Sequence, residues 1–411
     1  MKFSEEQRKA IASDQPFLFL QACAGSGKTR VIVERVKRHL LDGANPDHIL
    51  CITFTRKASL EMDERLEHRL KNVYTFHQFC LYMLKEKTSY PYDIIDPNDL
   101  AYSPNELLQI TNYKNSLYRT NKPNSYHQYQ KYLNENKLKD FDDLLIDYLK
   151  SEIINQFQYI LIDEFQDTNH LQYEIIKKLK DKDAKIFAVG DPNQSIYRFR
   201  GSNYQIIQQF IKDFQAITLT LSTNYRSNQN IIEAVNHLIF HNPKRDYLKM
   251  MPYHKRGENV ESLTFINRVD EYLYIVNLCK TLIQDKHHQT IAVLYRNHER
   301  SFHLKQYLYQ LDDYRLIFDE TIHFLTIHQS KGLEFDIVIM IGFEQGELPS
   351  LVENQMVELE EERRLCFVGM TRAKKKLILT HIKTDDTKKI YTPSVFLHES
   401  RVKTHHHPSI K

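Results

Sequence analysis

Short apolar runs alternate with longer amphipathic stretches along the first half of the chain. Such runs, bounded by polar or turn-forming residues, are typical of strands that are buried on both faces of a sheet. The intervening stretches place apolar residues three or four positions apart, which is typical of helices. The pattern predicts strands at residues 17–21, 49–53, 159–162, 186–189 and 217–221, and helices at 28–41 and 56–71.

The same alternation starts again in the second half of the chain. It predicts strands at residues 290–295, 324–327, 336–341 and 376–380, and helices at 299–311 and 358–373. Strands that are separated by helices form parallel sheets with helices on both faces. We therefore predict an α/β protein with two parallel-sheet units that meet near residue 217.

Two segments depart from this alternation. Residues 81–140 are rich in Tyr, Asn and Lys and show little alternation of apolar and polar positions, which predicts a small, mostly helical insertion in the first unit. Residues 399–411 are expected to form a C-terminal tail. Its histidines at 405–407 are compatible with metal binding, but the composition favours a solvated tail.

Composition and charge narrow the class of protein. The 411 residues include 56 Lys+Arg and 53 Asp+Glu, so the formal charge is only +3, which excludes a wholly basic wrapping protein. Hydrophobic residues at 41% and charged residues at 27% are typical of a globular protein. The apolar run at 17–24 is far shorter than the ~20 residues of a membrane-spanning helix. No membrane partner is therefore expected. The five scattered cysteines lack the spacing of a metal site and fit a reducing, cytoplasmic setting.

Glycine is scarce. Average usage of roughly 7% would give about 29 glycines in a chain of this length, whereas the chain has 10. All but Gly43 and Gly257 lie in or beside the segments that carry candidate chemistry. The remaining glycines are therefore expected to mark backbone positions that a side chain would obstruct.

The first predicted strand leads into a phosphate-binding pattern. A strand, a glycine turn ending in Lys-Thr and a helix are the setting of a P-loop, where backbone N–H groups and the helix N-terminus surround phosphate oxygens. We expect Lys28 to reach the β and γ phosphates of a nucleotide and the Thr29 hydroxyl to ligate Mg²⁺. The predicted cradle comprises Ala22, Cys23, Ala24, Gly25, Ser26, Gly27, Lys28 and Thr29.

Candidate catalytic side chains follow two other predicted strands. Residues 159–162 run directly into Asp163 and Glu164, at the carboxyl end of a strand, where α/β sheets bind their ligands. Asp163 is expected to hold magnesium, directly or through water, and Glu164 to orient and deprotonate the attacking water. The next strand ends in Gly-Asp-Pro-Asn-Gln, and Gln194 is a candidate for sensing the γ-phosphate or that water.

Together with these motifs, further segments resemble the UvrD/Rep/PcrA family of superfamily-1A DNA helicases, in a consistent order from residue 3 to about residue 379. The likeness is specific because it includes the Q motif and the segments that correspond to motifs I to VI. These segments lie at residues 3–7, 22–29, 52–58, 75–80, 140–145, 163–167, 189–201, 224–227, 326–335 and 362–373.

The resemblance implies two tandem RecA-like domains of a P-loop NTPase. It places domain 1A at 1–80 and 141–217, a helical insertion 1B at 81–140 and domain 2A at 218–398. Full-length family members carry a large 2B insertion before motif V, and this chain shows no segment of that size there. In the family 2B engages duplex DNA, so its absence leaves ATP hydrolysis and stepping as the better supported activities.

For the nucleotide, the resemblance implies ATP as the ligand. It implies that Gln7 reads the adenine, that Arg30 lies in the nucleotide site and that Tyr225 stacks on the base. It further implies that Glu334 contacts the ribose. It also implies that Arg226 and Arg372 reach the γ-phosphate from the second unit, which would make hydrolysis depend on closure of the cleft between the units. The expected catalytic set is Lys28, Glu164, Gln194, Arg226 and Arg372.

For DNA, the resemblance implies a single-strand track. Single-strand binders combine a polar groove along the backbone with aromatic rings on which bases stack. Phenylalanine stands at 199, where the family commonly has tryptophan, so we expect a smaller stacking surface there. Because the net charge is small, affinity should come from a local stripe and fall with salt. The predicted track comprises Thr53, Phe54, Thr55, Arg56, His77, Tyr197, Phe199, Arg200 and His328.

Three functions remain open on the sequence. The first is an ATP-driven translocase or helicase that moves 3′ to 5′ along single-stranded or tailed DNA. The second is a DNA-stimulated regulatory NTPase that senses strands or ends for a partner nuclease or effector, as in anti-phage defence. The third is an inactive binding module, against which the intact Lys28, Glu164 and Arg372 argue.

Overall fold

The computed structural model describes residues 2–180, 183–198, 205–242, 248–284, 289–310, 315, 320–350, 355–385 and 387–406. The chain forms two compact units. One comprises Met1–Ala22 and Gly27–Leu221, and the other comprises Cys23–Ser26 and Ser222–Lys411. Among the described helices, none is both long and apolar enough to cross a bilayer.

The first unit is built on a parallel sheet in the order β3–β2–β6–β7–β1–β8. A separate short parallel pair joins β4 and β5. The strands of this unit are β1 (Phe17–Ala22), β2 (Ile49–Thr53), β3 (Val73–Thr75), β4 (Asp93–Ile94), β5 (Leu138–Lys139), β6 (Tyr159–Ile162), β7 (Lys185–Gly190) and β8 (Ile217–Leu221).

Helices cover both faces of this sheet. Successive residues of β1 point to opposite faces, so that Phe19 joins one core while Leu18 and Leu20 join the other. The helices are α1 (Glu5–Ala12), α2 (Lys28–Leu41), α3 (Arg56–Arg65), α4 (Phe76–Lys87), α5 (Pro104–Asn115), α6 (Tyr126–Glu135), α7 (Phe141–Lys150), α8 (His170–Leu179) and α9 (Gln205–Phe214).

Helices α5 and α6 form the main part of the predicted insertion. They share a small core of their own, which contains the buried side chains of Ile110, Tyr129 and Leu133. The small, mostly helical insertion in the first unit is therefore confirmed.

The second unit repeats the parallel arrangement in the order β13–β12–β14–β15–β11–β16. Its strands are β9 (Thr223–Asn224), β10 (Met251–Pro252), β11 (Glu261–Phe265), β12 (Ile291–Tyr295), β13 (Ile322–Thr326), β14 (Phe335–Met340), β15 (Ala373–Ile382) and β16 (Thr404–His406). Its helices are α10 (Gln229–Ile239), α11 (Arg268–Gln284), α12 (His298–Gln310), α13 (Gln355–Met370) and α14 (Val395–Glu399). Two parallel-sheet α/β units confirm the predicted fold class.

Two details lie outside what the hydrophobic pattern reveals. Within the expected C-terminal tail, Thr404–His406 forms the edge strand β16, which pairs with β11, and all three residues are exposed. The reason is that an exposed edge strand needs no apolar alternation, and these three residues are polar; His407 lies outside the described residues. The strand at the predicted boundary, β8, pairs with β1 in the first sheet.

Candidate nucleotide site and nucleic-acid surface

The phosphate loop has a backbone that favours glycine at two positions. Gly25 has φ +65° and Gly27 has φ +84°, both in the left-handed region. A Cβ at Gly25 would lie 2.7 Å from Nδ2 of Asn224, and one at Gly27 would lie 3.1 Å from Nε2 of Gln7. Gly27 is the N-cap of α2, so the N-terminus of this helix adjoins the loop, as in sites where a helix N-terminus binds phosphate oxygens.

Lys28 and Thr29, the first residues of α2, lie close to the carboxyl edge of the first sheet. The Lys28 ammonium makes one long hydrogen bond, 3.4 Å to the carbonyl oxygen of Ala22. The Thr29 hydroxyl donates to Oδ2 of Asp163 across 3.4 Å. The structure therefore brings together the two residues that the sequence predicts as magnesium ligands.

Carboxylates from neighbouring strands meet at this edge. Asp163 follows β6 and Asp191 follows β7, and the two strands are parallel neighbours. Burial raises the pKa of Asp163 to about 7, and the adjacent charge of Glu164 adds to that rise, whereas Lys28 opposes it. Burial also raises the pKa of Asp191. Two buried carboxyl groups at this edge would be stabilised in their charged form by a cation bound nearby.

The donor set suits Mg²⁺ bound together with a nucleotide. A carboxylate and a hydroxyl are hard oxygen donors, and Mg²⁺ in phosphate sites typically takes one or two carboxylates plus substrate phosphates. Among the described residues, no group of three or more His, Cys, Asp or Glu side chains could hold a metal by itself. Thr29 and Asp163 therefore fit a magnesium ion that the phosphates help to hold.

Glu164 has an unusual backbone. Its φ of 51° and ψ of 41° lie in the left-handed region, which a residue with a side chain adopts at a cost of about 1–3 kcal/mol. Its N–H donates to Oδ1 of Asp163 at 2.9 Å. This conformation turns the chain sharply after β6 and holds the two acidic residues side by side.

A buried hydrogen-bond chain connects Gln194 to Glu164. Nε2 of Gln194 donates to Asp191 at 2.6 Å, the Asp191 N–H donates to Oε1 of Gln166 at 2.9 Å, and Nε2 of Gln166 donates to Glu164. Gln166 and Asp191, which are 0% and 3% exposed, had no predicted role. The scarce Gly190 was a usable signal, because a Cβ there would lie 2.8 Å from Oε1 of Gln166.

The Q-motif residues adjoin the phosphate loop in the first unit. Gln7 is 3% exposed and completes a capping box in which its Oε1 accepts a hydrogen bond from the Ser4 N–H at 3.0 Å. The guanidinium of Arg30 lies 4.2 Å from the centre of the Phe3 ring. Gln7 thus faces Gly27, and Arg30 lies against the start of the same segment.

In the second unit, Arg226 pairs with Glu334. Nε of Arg226 donates to Oε2 of Glu334 at 2.8 Å, and Nη1 donates to the carbonyl oxygen of Thr371 at 3.1 Å. Lys374 lies 2.7 Å from the other oxygen of Glu334. Burial opposes ionisation of Glu334, but Arg226 and Lys374 outweigh it and lower the pKa of that carboxyl.

Arg372 is buried beside this pair. It is 2% exposed and donates to the carbonyl oxygens of Val368 at 2.9 Å and Leu333 at 3.2 Å. It also donates to Oγ1 of Thr371 at 3.1 Å. Thr371 is therefore a shared partner of the two predicted arginines.

Tyr225 follows β9, and its backbone meets the central residues of the phosphate loop, which group with the second unit. The Tyr225 N–H donates to the carbonyl oxygen of Gly25 at 2.8 Å. Nδ2 of Asn224 donates to the carbonyl oxygen of Ala24 at 2.7 Å, and its Oδ1 accepts from the Arg226 N–H at 2.9 Å. Asn224, which had no predicted role, is 0% exposed and holds both segments.

Two predicted DNA-contacting rings lie against each other in the first unit. Phe54 and Tyr197 stack with centroids 5.1 Å apart and planes at 23°. Thr55 caps α3 by accepting from the Ala58 N–H, and the Thr53 hydroxyl donates to the Thr55 carbonyl oxygen. Arg56 is exposed at the first position of α3. Thr53 is buried, whereas Phe54, Thr55, Arg56 and Tyr197 are at least partly exposed and place aromatic and basic groups on the surface of the first unit.

The remaining predicted track residues are more dispersed. His77 lies edge-on to Phe141 at 5.8 Å, and burial lowers the pKa of His77 to about 4, so that it is neutral near pH 7. His328 is partly buried in the turn after β13 of the second unit. Phe199 and Arg200 lie outside the described residues, and their roles stay predictions.

A parallel sheet with a phosphate loop after one strand and an acidic pair after another defines a P-loop NTPase. The chain matches the UvrD/REP helicase N-terminal domain over residues 3–93 and 94–215. It matches the UvrD-like helicase C-terminal domain over residues 219–312 and 310–384. The chain therefore belongs to the UvrD/Rep helicase family, as its motifs predicted.

Similar curated proteins carry helicase names. A probable DNA helicase of Mycoplasma pneumoniae is 29% identical, with 96% of this chain and 86% of that protein aligned. The ATP-dependent DNA helicases PcrA of Staphylococcus epidermidis and Staphylococcus aureus are 33% and 32% identical, over 72% of this chain and 48% of their own length. The chain thus spans about half the length of these PcrA relatives.

Proposed function

We propose that the chain is an ATP-dependent translocase or helicase that moves 3′ to 5′ on single-stranded DNA. The observation that carries the proposal is the convergence of Lys28, Thr29, Asp163 and Glu164 at one edge of the first sheet. These groups supply a phosphate clamp, a cation site and a base for water in one place. The helicase names of the relatives support DNA as the substrate.

In this proposal each side chain has a distinct task in hydrolysis. Lys28 holds the β and γ phosphates, and Glu164 orients the attacking water and accepts its proton. Thr29 and Asp163 hold Mg²⁺, which when bound neutralises charge on the phosphates. Gln194 responds to the γ-phosphate, and its hydrogen-bond chain through Asp191 passes that state to Glu164.

The second unit contributes the residues that make hydrolysis depend on conformation. Arg226 and Arg372 are proposed to reach the γ-phosphate when ATP is bound, because guanidinium groups stabilise the charge of the transition state. Both already share Thr371 as a partner. Tyr225 stacks on the adenine. When Arg226 moves to the γ-phosphate, Glu334 loses its contact with Arg226 and binds the ribose instead.

The DNA track begins at the patch of Phe54, Tyr197 and Arg56. Bases stack on aromatic rings with about 1–3 kcal/mol each, without regard to sequence. The Phe54–Tyr197 stack offers such a surface beside an exposed guanidinium. The 3′-to-5′ direction rests on family resemblance alone and is therefore part of the test.

The test combines hydrolysis with strand displacement. ATP hydrolysis is measured with and without a single-stranded oligonucleotide, and displacement is measured on 3′-tailed, 5′-tailed and blunt duplexes. We expect DNA to stimulate hydrolysis and only the 3′-tailed duplex to be opened. Preference for the 5′-tailed duplex would reverse the polarity, and stimulation without displacement or movement would favour the regulatory NTPase.

Replacement of the clamp lysine provides the first prediction. Lys28→Ala should reduce hydrolysis by about 100-fold or more, because a preorganised charge on the phosphates is lost. Lys37→Ala, on the same helix and paired with Glu34, is the matched control and should retain activity. DNA-stimulated hydrolysis that survives in Lys28→Ala would contradict the assignment of this site.

A further inference from the structure

A second tyrosine lies beside Tyr225. Strands β9 and β10 are parallel, with Thr223 opposite Met251 and Asn224 opposite Pro252. The residue that follows each strand is a tyrosine, so Tyr225 and Tyr253 stand side by side. Their ring centroids are 4.9 Å apart, with planes at 43°.

The residue after Tyr253 holds the backbone of Tyr225. Nε2 of His254 lies 2.8 Å from the Tyr225 carbonyl oxygen. A carbonyl oxygen only accepts, so this ring nitrogen carries the hydrogen and donates it. The Tyr253 N–H also donates to the Asn224 carbonyl oxygen at 3.0 Å. The segment that carries Tyr253 is therefore hydrogen-bonded to the peptide group before Tyr225 and to the peptide group after it.

The same segment is anchored on the first turn of α10. Nδ2 of Asn230 donates to the carbonyl oxygen of Gly257 at 2.9 Å, and the Gln229 N–H donates to that of Lys255 at 3.3 Å. A Cβ at Gly257 would lie 2.7 Å from Nδ2 of Asn228, so the close approach requires glycine. This explains one of the two glycines that lie outside the predicted motifs.

We propose that Tyr253 is a positioning residue for recognition of the nucleobase. The inference rests on the proposed function, in which Tyr225 stacks on the adenine. A partly exposed tyrosine such as Tyr225 loses rotamer freedom when a base stacks on it, and packing against a second ring removes part of that cost beforehand. Tyr253 itself is 54% exposed, so the contact orders Tyr225 without closing off its surroundings.

This role predicts an effect that depends on the base. An aromatic pair contributes enough to change an equilibrium constant by about three- to tenfold. Loss of the Tyr253 ring should therefore weaken the binding of a purine nucleotide by about that factor. It should weaken the binding of a pyrimidine nucleotide less, because the smaller base has less stacking surface. The affinity for pyrophosphate, which has no base, should not change.

The experiment measures binding of ADP labelled with methylanthranilate, with ADP, CDP and pyrophosphate as competitors. For Tyr253→Ala we expect ADP affinity to fall and KM for ATP to rise by about three- to tenfold, with kcat within about twofold. Tyr253→Phe keeps the ring and should behave like the original chain. Tyr132→Ala, at a tyrosine that is 43% exposed in the first unit, is the matched control.

Two results would overturn the inference. One is unchanged ADP affinity in Tyr253→Ala, and the other is an equal loss for ADP and pyrophosphate, which would indicate a general structural effect. Tyr253→Leu replaces the alanine variant if circular dichroism shows that the latter is unfolded. Tyr225→Ala distinguishes failure of the proposed function from failure of this inference. If Tyr225→Ala keeps its ADP affinity, the assignment of Tyr225 to the adenine is wrong. If Tyr225→Ala loses ADP affinity but Tyr253→Ala does not, only the role of Tyr253 is wrong.

Discussion

Lys114 is a lysine without solvent exposure in the helical insertion. Its ammonium lies 2.6 Å from Oδ2 of Asp140 and 2.8 Å from Oδ1 of Asp143, and its side chain is 0% exposed. The Tyr129 hydroxyl donates to the same Asp140 oxygen at 2.7 Å. Burial disfavours the charged lysine, but the two carboxylates outweigh it and raise the pKa of Lys114. The insertion is thereby tied to the first turn of α7.

Removal of this ammonium should be costly. Lys114→Met leaves Asp140 and Asp143 buried together without a cation, and breaking a buried pair on one side typically costs about 3–5 kcal/mol. We expect a fall of that size in the free energy of unfolding, measured by urea denaturation. Lys131→Met, at an exposed lysine of the same insertion, is the control. A loss below about 1 kcal/mol, the level of an exposed pair, would contradict a stabilising role.

The same scale shows which site residues the sequence can reveal. The phosphate loop is readable because Gly27, Lys28 and Thr29 are contiguous and their chemistry is local. The chain from Gln166 to Asp191 is not, because its hydrogen bond joins residues 25 positions apart. Tyr253 is found only once β9 and β10 are seen to pair.

At the scale of elements, buried parallel strands were the most predictable part. β2 and β6 match their predicted bounds because each is a short, continuously apolar run. β11 was missed because Glu261 and Ser262 interrupt its apolar pattern. The helix predicted at 56–71 ends at Arg65, since Glu67 and His68 adopt positive φ, which periodicity does not reveal.

Helix α2 also contains a buried histidine that should make stability depend on pH. His39 stacks on Tyr159 with centroids 4.0 Å apart. Burial, followed by the charges of Arg35 and Arg38, lowers the pKa of His39 to about 4. The unfolded chain binds this proton near pH 6.5. The contribution is therefore complete above pH 6.5 and is lost as the pH falls towards 4.

His39→Phe keeps a ring against Tyr159 but cannot be protonated. Between neutral pH and about pH 4.5 its free energy of unfolding should fall by roughly 2 kcal/mol less than that of the original chain. Urea denaturation at both pH values measures the difference. His127→Phe, at an exposed histidine of helix α6, is the control. Parallel pH profiles for His39→Phe and the original chain would refute the buried-histidine explanation.

For the whole molecule, the net charge of +3 makes the distribution of charge more important than its sum. Many basic side chains are already paired with acids, as Lys374 is with Glu334 and Lys375 with Asp336. Such pairs contribute little to binding a polyanion. If the proposed track is correct, we expect DNA affinity to depend on exposed basic groups near the aromatic patch, of which Arg56 is one.

The salt dependence of DNA binding measures the number of such groups directly. For single strands, the slope of log K against log salt concentration is about −0.7 for each phosphate neutralised. Arg56→Gln should therefore weaken binding of a labelled oligonucleotide and make the slope less steep by about 0.7 between roughly 50 and 200 mM salt, measured by fluorescence anisotropy. Arg65→Gln, at the other end of α3 and paired with Glu61, should change neither quantity. If both variants kept the original slope, Arg56 would neutralise no phosphate, and the track would have to lie away from the Phe54–Tyr197 stack.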